Sequence, residues 1–235
     1  KNVDKASVKG VERMAVRIAE NPATGERIGE IVETDLDMIR DMYEKARKSF
    51  EMWSSLSIDE RLSYLKRLKA LMVEEMDAIA KNISLDTGKV LTEALVADIL
   101  PTVDSLDYII KRAKSILSPQ KRKTPLLLIG KKSYVEYMPR GVVLVISPWN
   151  YPLQLSVVPV ISALVSGNTV ILKPSEVTPF VGKCIEELFQ MAGFPEGVFQ
   201  VAHGGKEVGA KLTEEKPDFI FFTGSVKTGK IIQKV

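Results

Sequence analysis

Lys173, Ser175 and Glu176 lie within four residues of one another in LKPSEVTP, directly after the apolar run Thr169–Leu172. An ammonium at such a place bonds ribose hydroxyls or a phosphate, and a carboxylate accepts from a ribose 2′-hydroxyl while repelling a 2′-phosphate. A second polar group, Ser147, Trp149 and Asn150 in SPWNYP, follows another apolar run, Val142–Ile146. Together these two groups describe a nucleotide site. A third, Thr223-Gly224-Ser225, follows Phe219–Phe222. Free N–H groups at a helix start favour an anion, and a serine there serves equally as an ordinary helix cap, so both readings stand for Ser225. Trp149 likewise either lines the site or closes a strand end as a packed aromatic, where its indole N–H needs a partner.

These groups must be held by elements the sequence also specifies. Val142–Ile146 is five β-branched or aliphatic residues, a buried strand stopped by Ser147-Pro148. Leu153–Val165 spaces its apolar residues helically up to Gly167-Asn168, and Thr169–Leu172 is a second strand cut by Pro174. That is one βαβ unit, with a right-handed crossover and a parallel sheet. Ligands of such sheets bind beyond the carboxyl ends of the strands, where both polar groups stand. Thr178-Pro179 opens another helix to about Met191, Val198–Val201 is a third strand, Glu207–Leu212 a short helix and Phe219–Phe222 a fourth strand, before a last helix opened by Thr223-Gly224-Ser225. The alternation predicts an α/β fold, a doubly wound, mostly parallel Rossmann-like sheet. Gly204-Gly205-Lys206-Glu207-Val208-Gly209 only superficially imitates the G-x-G-x-x-G fingerprint.

Upstream, residues 1–35 read as an irregular, partly extended arm with a turn near Asn21-Pro22 and a strand at Arg27–Val32. Three helices follow: one capped by Asp35 and running to about Trp53, one capped by Ser57 and running to about Asn82, and one from about Val90 to Leu117 that Pro101 kinks or splits. Leu126–Ile129, Gly130-Lys131-Lys132 and Ser133–Met138 read as a protruding β-hairpin, and the basic run Lys121-Arg122-Lys123 as a solvated connector. The last helix reaches Val235 without a glycine or proline stop, as in a cut chain.

With 235 residues, 45% apolar and 27% charged, the chain has room for a large core, and a net charge of +3 does not favour nucleic acid. Nothing approaches a membrane-spanning run, and no secretory pattern opens the chain. A single cysteine allows no internal disulfide, which fits a cytoplasmic location. That residue, Cys184, shares an apolar helix face with Phe180, Val181, Ile185 and Leu188, so it reads as core, and the lone His203 has no metal-binding framework.

SPWNYP, LKPSEVTP and FFTGSVKTG, in this order, resemble the aldehyde dehydrogenase superfamily, and the resemblance covers essentially the whole chain. It implies NAD as cofactor, with NADP possible, held by Ser147, Trp149, Lys173, Ser175, Glu176, Gly209, Gly224, Ser225, Thr228 and Gly229, with Ser225 at the pyrophosphate. It implies Asn150 as a catalytic residue, an oxyanion donor through its side-chain amide. The chemistry needs a cysteine thiolate to form a tetrahedral adduct with the aldehyde and a base-activated water to release the acid. The family's cysteine and glutamate fall downstream of the last helix, so this chain alone is expected to be inactive. The resemblance also makes the hairpin, residues 124–138, the arm joining subunits of a homo-oligomer, between an N-terminal part (1–123) and the NAD-binding region (139–235); a surface hairpin serving this domain alone is the other reading. A CoA-acylating or phosphate-linked aldehyde dehydrogenase, or a non-catalytic nucleotide-binding or assembly module, remain alternatives.

Overall fold

The structure is a computed structural model that describes residues 15–234; residues 1–14 of the expected arm and Val235 lie outside the described residues. Four strands build the central sheet: β5 (Val142–Ile146), β6 (Thr169–Lys173), β7 (Phe199–Val201) and β8 (Phe219–Phe222). Their order is β7-β6-β5-β8 and every pairing is parallel. Side chains alternate across the sheet as the period of two requires. Val143, Val145, Val170 and Leu172 enter one core with α6 (Gln154–Val165) and α7 (Pro179–Met191). Val142, Leu144 and Ile171 enter the other with Ile39, Tyr43 and Ala46 of α1 (Met38–Ser55) and Val208 and Leu212 of α8 (Lys206–Glu214). Helices thus cover both faces, the doubly wound arrangement expected. A short α9 (Val226–Ile232) follows β8.

The N-terminal part differs from the reading in several places. Arg27–Val32 is strand β2 as expected, and it pairs antiparallel with an unforeseen β1 (Val16–Glu20). Asp35 does not cap α1; its Oδ1 accepts from Asp37 N at 3.0 Å and fixes the turn before the helix. Ser57 does cap, in a capping box with Glu60. The helix expected to run to Asn82 is two, α2 (Ile58–Glu74) and α3 (Met76–Thr87), ended by Gly88 at φ 76°. From Leu91 to Leu117 the chain stays helical through α4 (Leu91–Glu93), a π-helical turn (Ala94–Ile99) and α5 (Leu100–Leu117). Pro101 has no N–H to give a carbonyl one turn back, and the wider π turn, with Leu100 N donating to Leu95 O, lies directly ahead of it, so the helix runs on through the proline without splitting.

The hairpin is present with a different first strand. β3 (Gln120–Arg122) pairs with β4 (Ser133–Val135), while Leu126–Leu128 form a 3-10 turn whose apolar side chains stand in the open. The supposed basic connector is therefore the strand. Charged side chains suit a two-stranded ribbon that faces water on both sides.

Candidate cofactor site

The loops after β5, β6 and β8 open at one end of the sheet, and β6 and β8 flank β5 two strand spacings apart, about 10 Å. After β6, Lys173 is only 5% exposed. Its Nζ donates to Pro174 O at 3.1 Å and lies 2.9 Å from Glu176 Oε2. Ser175 shapes the turn: its Oγ accepts from Val177 N at 3.2 Å and its carbonyl accepts from Thr178 N. Burial pushes the half-exposed Glu176 carboxyl up, but hydrogen bonds from Lys173 and its own backbone N–H, with the charges of Lys173 and Arg17, hold it below its ordinary value. A carboxylate anchored on one oxygen and open to solvent on its flank suits a ribose diol. Gly209 of α8 backs this pair; a Cβ there would lie 3.6 Å from Lys173 Cδ and Cε.

After β5, Ser147 N donates to Lys173 O at 3.2 Å, which extends the ladder into the loop. The Ser147 hydroxyl is buried and bonded to Ser156 Oγ at 2.6 Å, so its backbone is what the loop presents. Trp149 is 57% exposed, which overturns its reading as a packed aromatic. Asn150 is exposed, its carbonyl accepts from Lys89 Nζ at 2.5 Å, and among the described residues no hydrogen bond engages its side-chain amide. That amide is uncommitted.

After β8, Thr223 N donates to Ile146 O at 3.0 Å. Ser225 is the N-cap of α9, its Oγ accepting from Thr228 N at 3.2 Å and lying 2.9 Å from Thr228 Oγ1. The capping role is therefore formed. Gly224 and Gly229 border the Phe222 ring, and a Cβ on Gly224 would fall 2.5 Å from Cζ. The geometry brings Lys173, Glu176 and Gly209 together, with Ser175 in the turn between, and sets Trp149 and Asn150 on the loop after β5 and Gly224 to Gly229 at the start of α9.

Two carboxylates escaped the sequence reading. Neither α6 nor α7 has a side-chain cap from its own N-cap residue. Asp98 of the π turn supplies one, its Oδ1 accepting from Gln154 N at 2.7 Å; Asp86 of α3 supplies the other, its Oδ2 accepting from Val181 N at 2.9 Å. Burial pushes both acids up, Asp86 to about 6, against the pull of those backbone N–H groups and, at Asp98, of the Lys89 charge. The helices behind the β5 and β6 loops are thus anchored by distant acids. Asp98 left a signal in the sequence: an acid between Leu95 and Ile99 on a core-facing helical turn has no reason to be there without a partner.

Cys184 is buried on α7, and burial pushes its thiol up to about 11. His203 Nε2 lies 3.2 Å from Glu186 Oε2. Among the described residues no cluster of three or more histidine, cysteine or acidic side chains could hold a metal, and no helix is long and apolar enough to cross a membrane. A cleft of about 590 Å³ lies along the free edge of β7, between α1 and α7. It is not at the strand ends where the polar groups gather, and His203 and Glu186 on its wall satisfy each other.

The sequence pattern described as "Aldehyde dehydrogenase family" matches residues 11–235. The chain is 39% identical over 222 residues to a 4,4'-diapolycopene aldehyde oxidase of Methylomonas, covering 94% of this chain and 42% of that protein. Among solved structures, an NADP-dependent glyceraldehyde-3-phosphate dehydrogenase of Bacillus halodurans complexed with NADP superposes with a TM-score of 0.86 at 30% identity, over 94% of this chain and 47% of that one. An aldehyde dehydrogenase of Bacillus cereus in an NAD+ complex gives 0.86 at 32%, over 94% and 45%. The chain thus spans less than half the length of the relatives it matches.

Proposed function

Since the chain belongs to the aldehyde dehydrogenase family, we propose that it is the cofactor-binding portion of an enzyme that oxidises an aldehyde to a carboxylic acid with NAD or NADP. The observation that carries this reading is the Lys173–Glu176 pair at the carboxyl end of β6, one strand from a loop with an uncommitted Asn150 amide. Glu176 and Lys173 hold the adenosine ribose, Ser175 fixes the turn that presents them and Gly209 gives room beside them. Trp149 and the Ser147 backbone line the loop toward the nicotinamide side. Gly224, Ser225, Thr228 and Gly229 border the pyrophosphate, where Ser225 caps α9, a helix end whose N–H groups favour an anion. The bound nicotinamide supplies the hydride acceptor. Asn150 donates to the oxygen of the tetrahedral adduct as negative charge develops on it.

The nucleophile of that adduct is a cysteine outside this stretch, giving a thiohemiacetal, and a glutamate outside it activates the water that releases the acid. Cys184 serves neither step, because a packed thiol pushed up to about 11 supplies almost no thiolate at neutral pH. Residues 1–235 alone are therefore inactive. The ribbon arm, with Leu127 at 98% and Ile129 at 81% exposure, joins subunits of a cytoplasmic homo-oligomer. Residues 1–123 form the N-terminal part, 124–138 the arm and 139–235 the nucleotide-binding region.

The test is aldehyde-dependent NADH formation by the complete reading frame that contains this chain, beside residues 1–235 alone. Turnover by the first and none by the second supports the reading, with Asn150→Ala lowering kcat by about 10² to 10³. Turnover by residues 1–235 that vanishes in Cys184→Ala would overturn it.

A further inference from the structure

The β1–β2 hairpin comes from outside the central sheet and is latched to the end of it where the polar loops open. Thr34 N donates to His203 O at 2.8 Å, and His203 N donates to Thr34 Oγ1 at 3.0 Å, just past the carboxyl end of β7. Phe180, at the start of α7, sits so tightly on Gly29 of β2 that a Cβ there would fall 2.6 Å from the ring. The hairpin is therefore fixed to the helix that follows the Glu176 turn.

This latch brings Arg17 of β1 to the site. Its Nη2 lies 3.3 Å from where a Cβ on Gly205 would stand, at the start of α8. One helical turn further on, Gly209 lies against the Lys173 side chain. The Arg17 guanidinium is held by Glu33 of the same hairpin, Nε at 2.7 Å and Nη2 at 2.5 Å from Oε1, with about a third of its side chain exposed. Arg17 is also one of the charges that act on the Glu176 carboxylate, after Lys173. Glu176 alone repels a 2′-phosphate, and Lys173 is buried and bonded to Glu176 and Pro174. Arg17 keeps part of its fork open near this group, and a guanidinium matches a phosphate in geometry as well as charge.

We propose that Arg17 is a specificity-determining residue of the adenosine ribose site: it leaves Glu33 to pair with a ribose 2′-phosphate, and so allows a carboxylate-bearing site to accept NADP as well as NAD. The inference rests on the cofactor reading above. Glu33 restrains the arginine and keeps the phosphate from being the preferred ligand.

The experiment is titration calorimetry of the purified chain with two probes that differ only at the 2′ position, adenosine 5′-monophosphate and adenosine 2′,5′-bisphosphate. Arg17→Met is expected to weaken the bisphosphate about tenfold relative to the monophosphate, Arg17→Lys to recover most of that loss, and Glu33→Gln to tighten the bisphosphate about threefold. Unchanged ratios in Arg17→Met, or in Glu33→Gln should Arg17→Met fail to fold, overturn the role of Arg17 while the cofactor reading stands. A wild-type chain that binds neither nucleotide overturns the cofactor reading and this inference with it.

Discussion

Lys173 Nζ lies 2.9 Å from Glu176 Oε2, and the lysine is buried while the glutamate is half-exposed. The pair is built from opposite requirements. Three residues after the end of β6 the chain turns back, so the buried ammonium is neutralised by a carboxylate that still faces solvent. The ammonium cannot leave without stranding its charge in the core, which fixes the carboxylate in place.

That fixed carboxylate is expected to set cofactor preference. Glu176→Ser removes the like charge next to a 2′-phosphate and one acceptor for the 2′-hydroxyl. NADP binding should tighten relative to NAD by roughly tenfold, since one unit of charge repulsion near a half-buried site is worth on the order of 1–2 kcal/mol. Competitive titration of the two dinucleotides checks this, and an unchanged ratio would exclude Glu176 from the ribose site.

Gly209 separates fold from binding. It lies inside α8, where alanine is favoured over glycine by up to about 1 kcal/mol, and a Cβ would make only ordinary contact with Lys173. Gly209→Ala should therefore raise the urea midpoint slightly and yet weaken NAD, because the added methyl occupies the cleft side of the Lys173–Glu176 pair. Weaker NAD with a lower urea midpoint would point to a damaged fold instead.

Asp86 gives stability a pH dependence of unusual sign. Its folded value of about 6 stands above the ordinary value of 3.8, so the folded state holds the proton more tightly than the unfolded chain does. Its contribution is complete below about pH 4 and is lost as pH rises through 6, on the order of 3 kcal/mol in all. Asp86→Asn keeps an acceptor for the α7 N–H groups and has no proton to lose. The stability difference between the two proteins, from urea unfolding at pH 4 and pH 7, should move in favour of the variant at the higher pH. A constant difference would show that Asp86 does not titrate in this window.

Legibility followed the kind of force that shapes each segment. Val142–Ile146 was read to the residue, because a central parallel strand has to be apolar on both faces. Phe219–Phe222 was read to the residue from its run of apolar residues bounded by turn signals, although it is an edge strand with Phe219 and Phe221 exposed. Leu126–Ile129 obeyed the same pattern and misled, since exposed aliphatic residues in a 3-10 turn look like a buried strand when burial is unknown. The strand pairing with Ser133–Val135 was hidden in a basic run that only water on both sides explains. Lys173, Ser175 and Glu176 could be grouped from the sequence because one turn brings them together. Asp86, Asp98 and Arg17 were not, because their partners lie 95, 56 and 16 residues away and only the packing of α3, the π turn and the hairpin introduces them.

The thiol at Cys184 offers a simple check of the packing of α7. With burial pushing it up to about 11, under about 1% is thiolate at pH 8. A disulfide reagent should react slowly with the native chain and at the rate of a free thiol in urea. Fast native labelling would mean that the helix face is open.

The central claim is that the loops after β5, β6 and β8 of this chain hold a nicotinamide dinucleotide. Titration calorimetry of residues 1–235 with NAD tests it most directly, with Glu176→Ala and Cys184→Ala alongside. Saturable binding of one NAD per chain is expected, weakened about tenfold in Glu176→Ala by loss of a charged hydrogen-bond acceptor and unaltered in Cys184→Ala. No saturable binding by the folded chain, or equal affinity in Glu176→Ala, would contradict it.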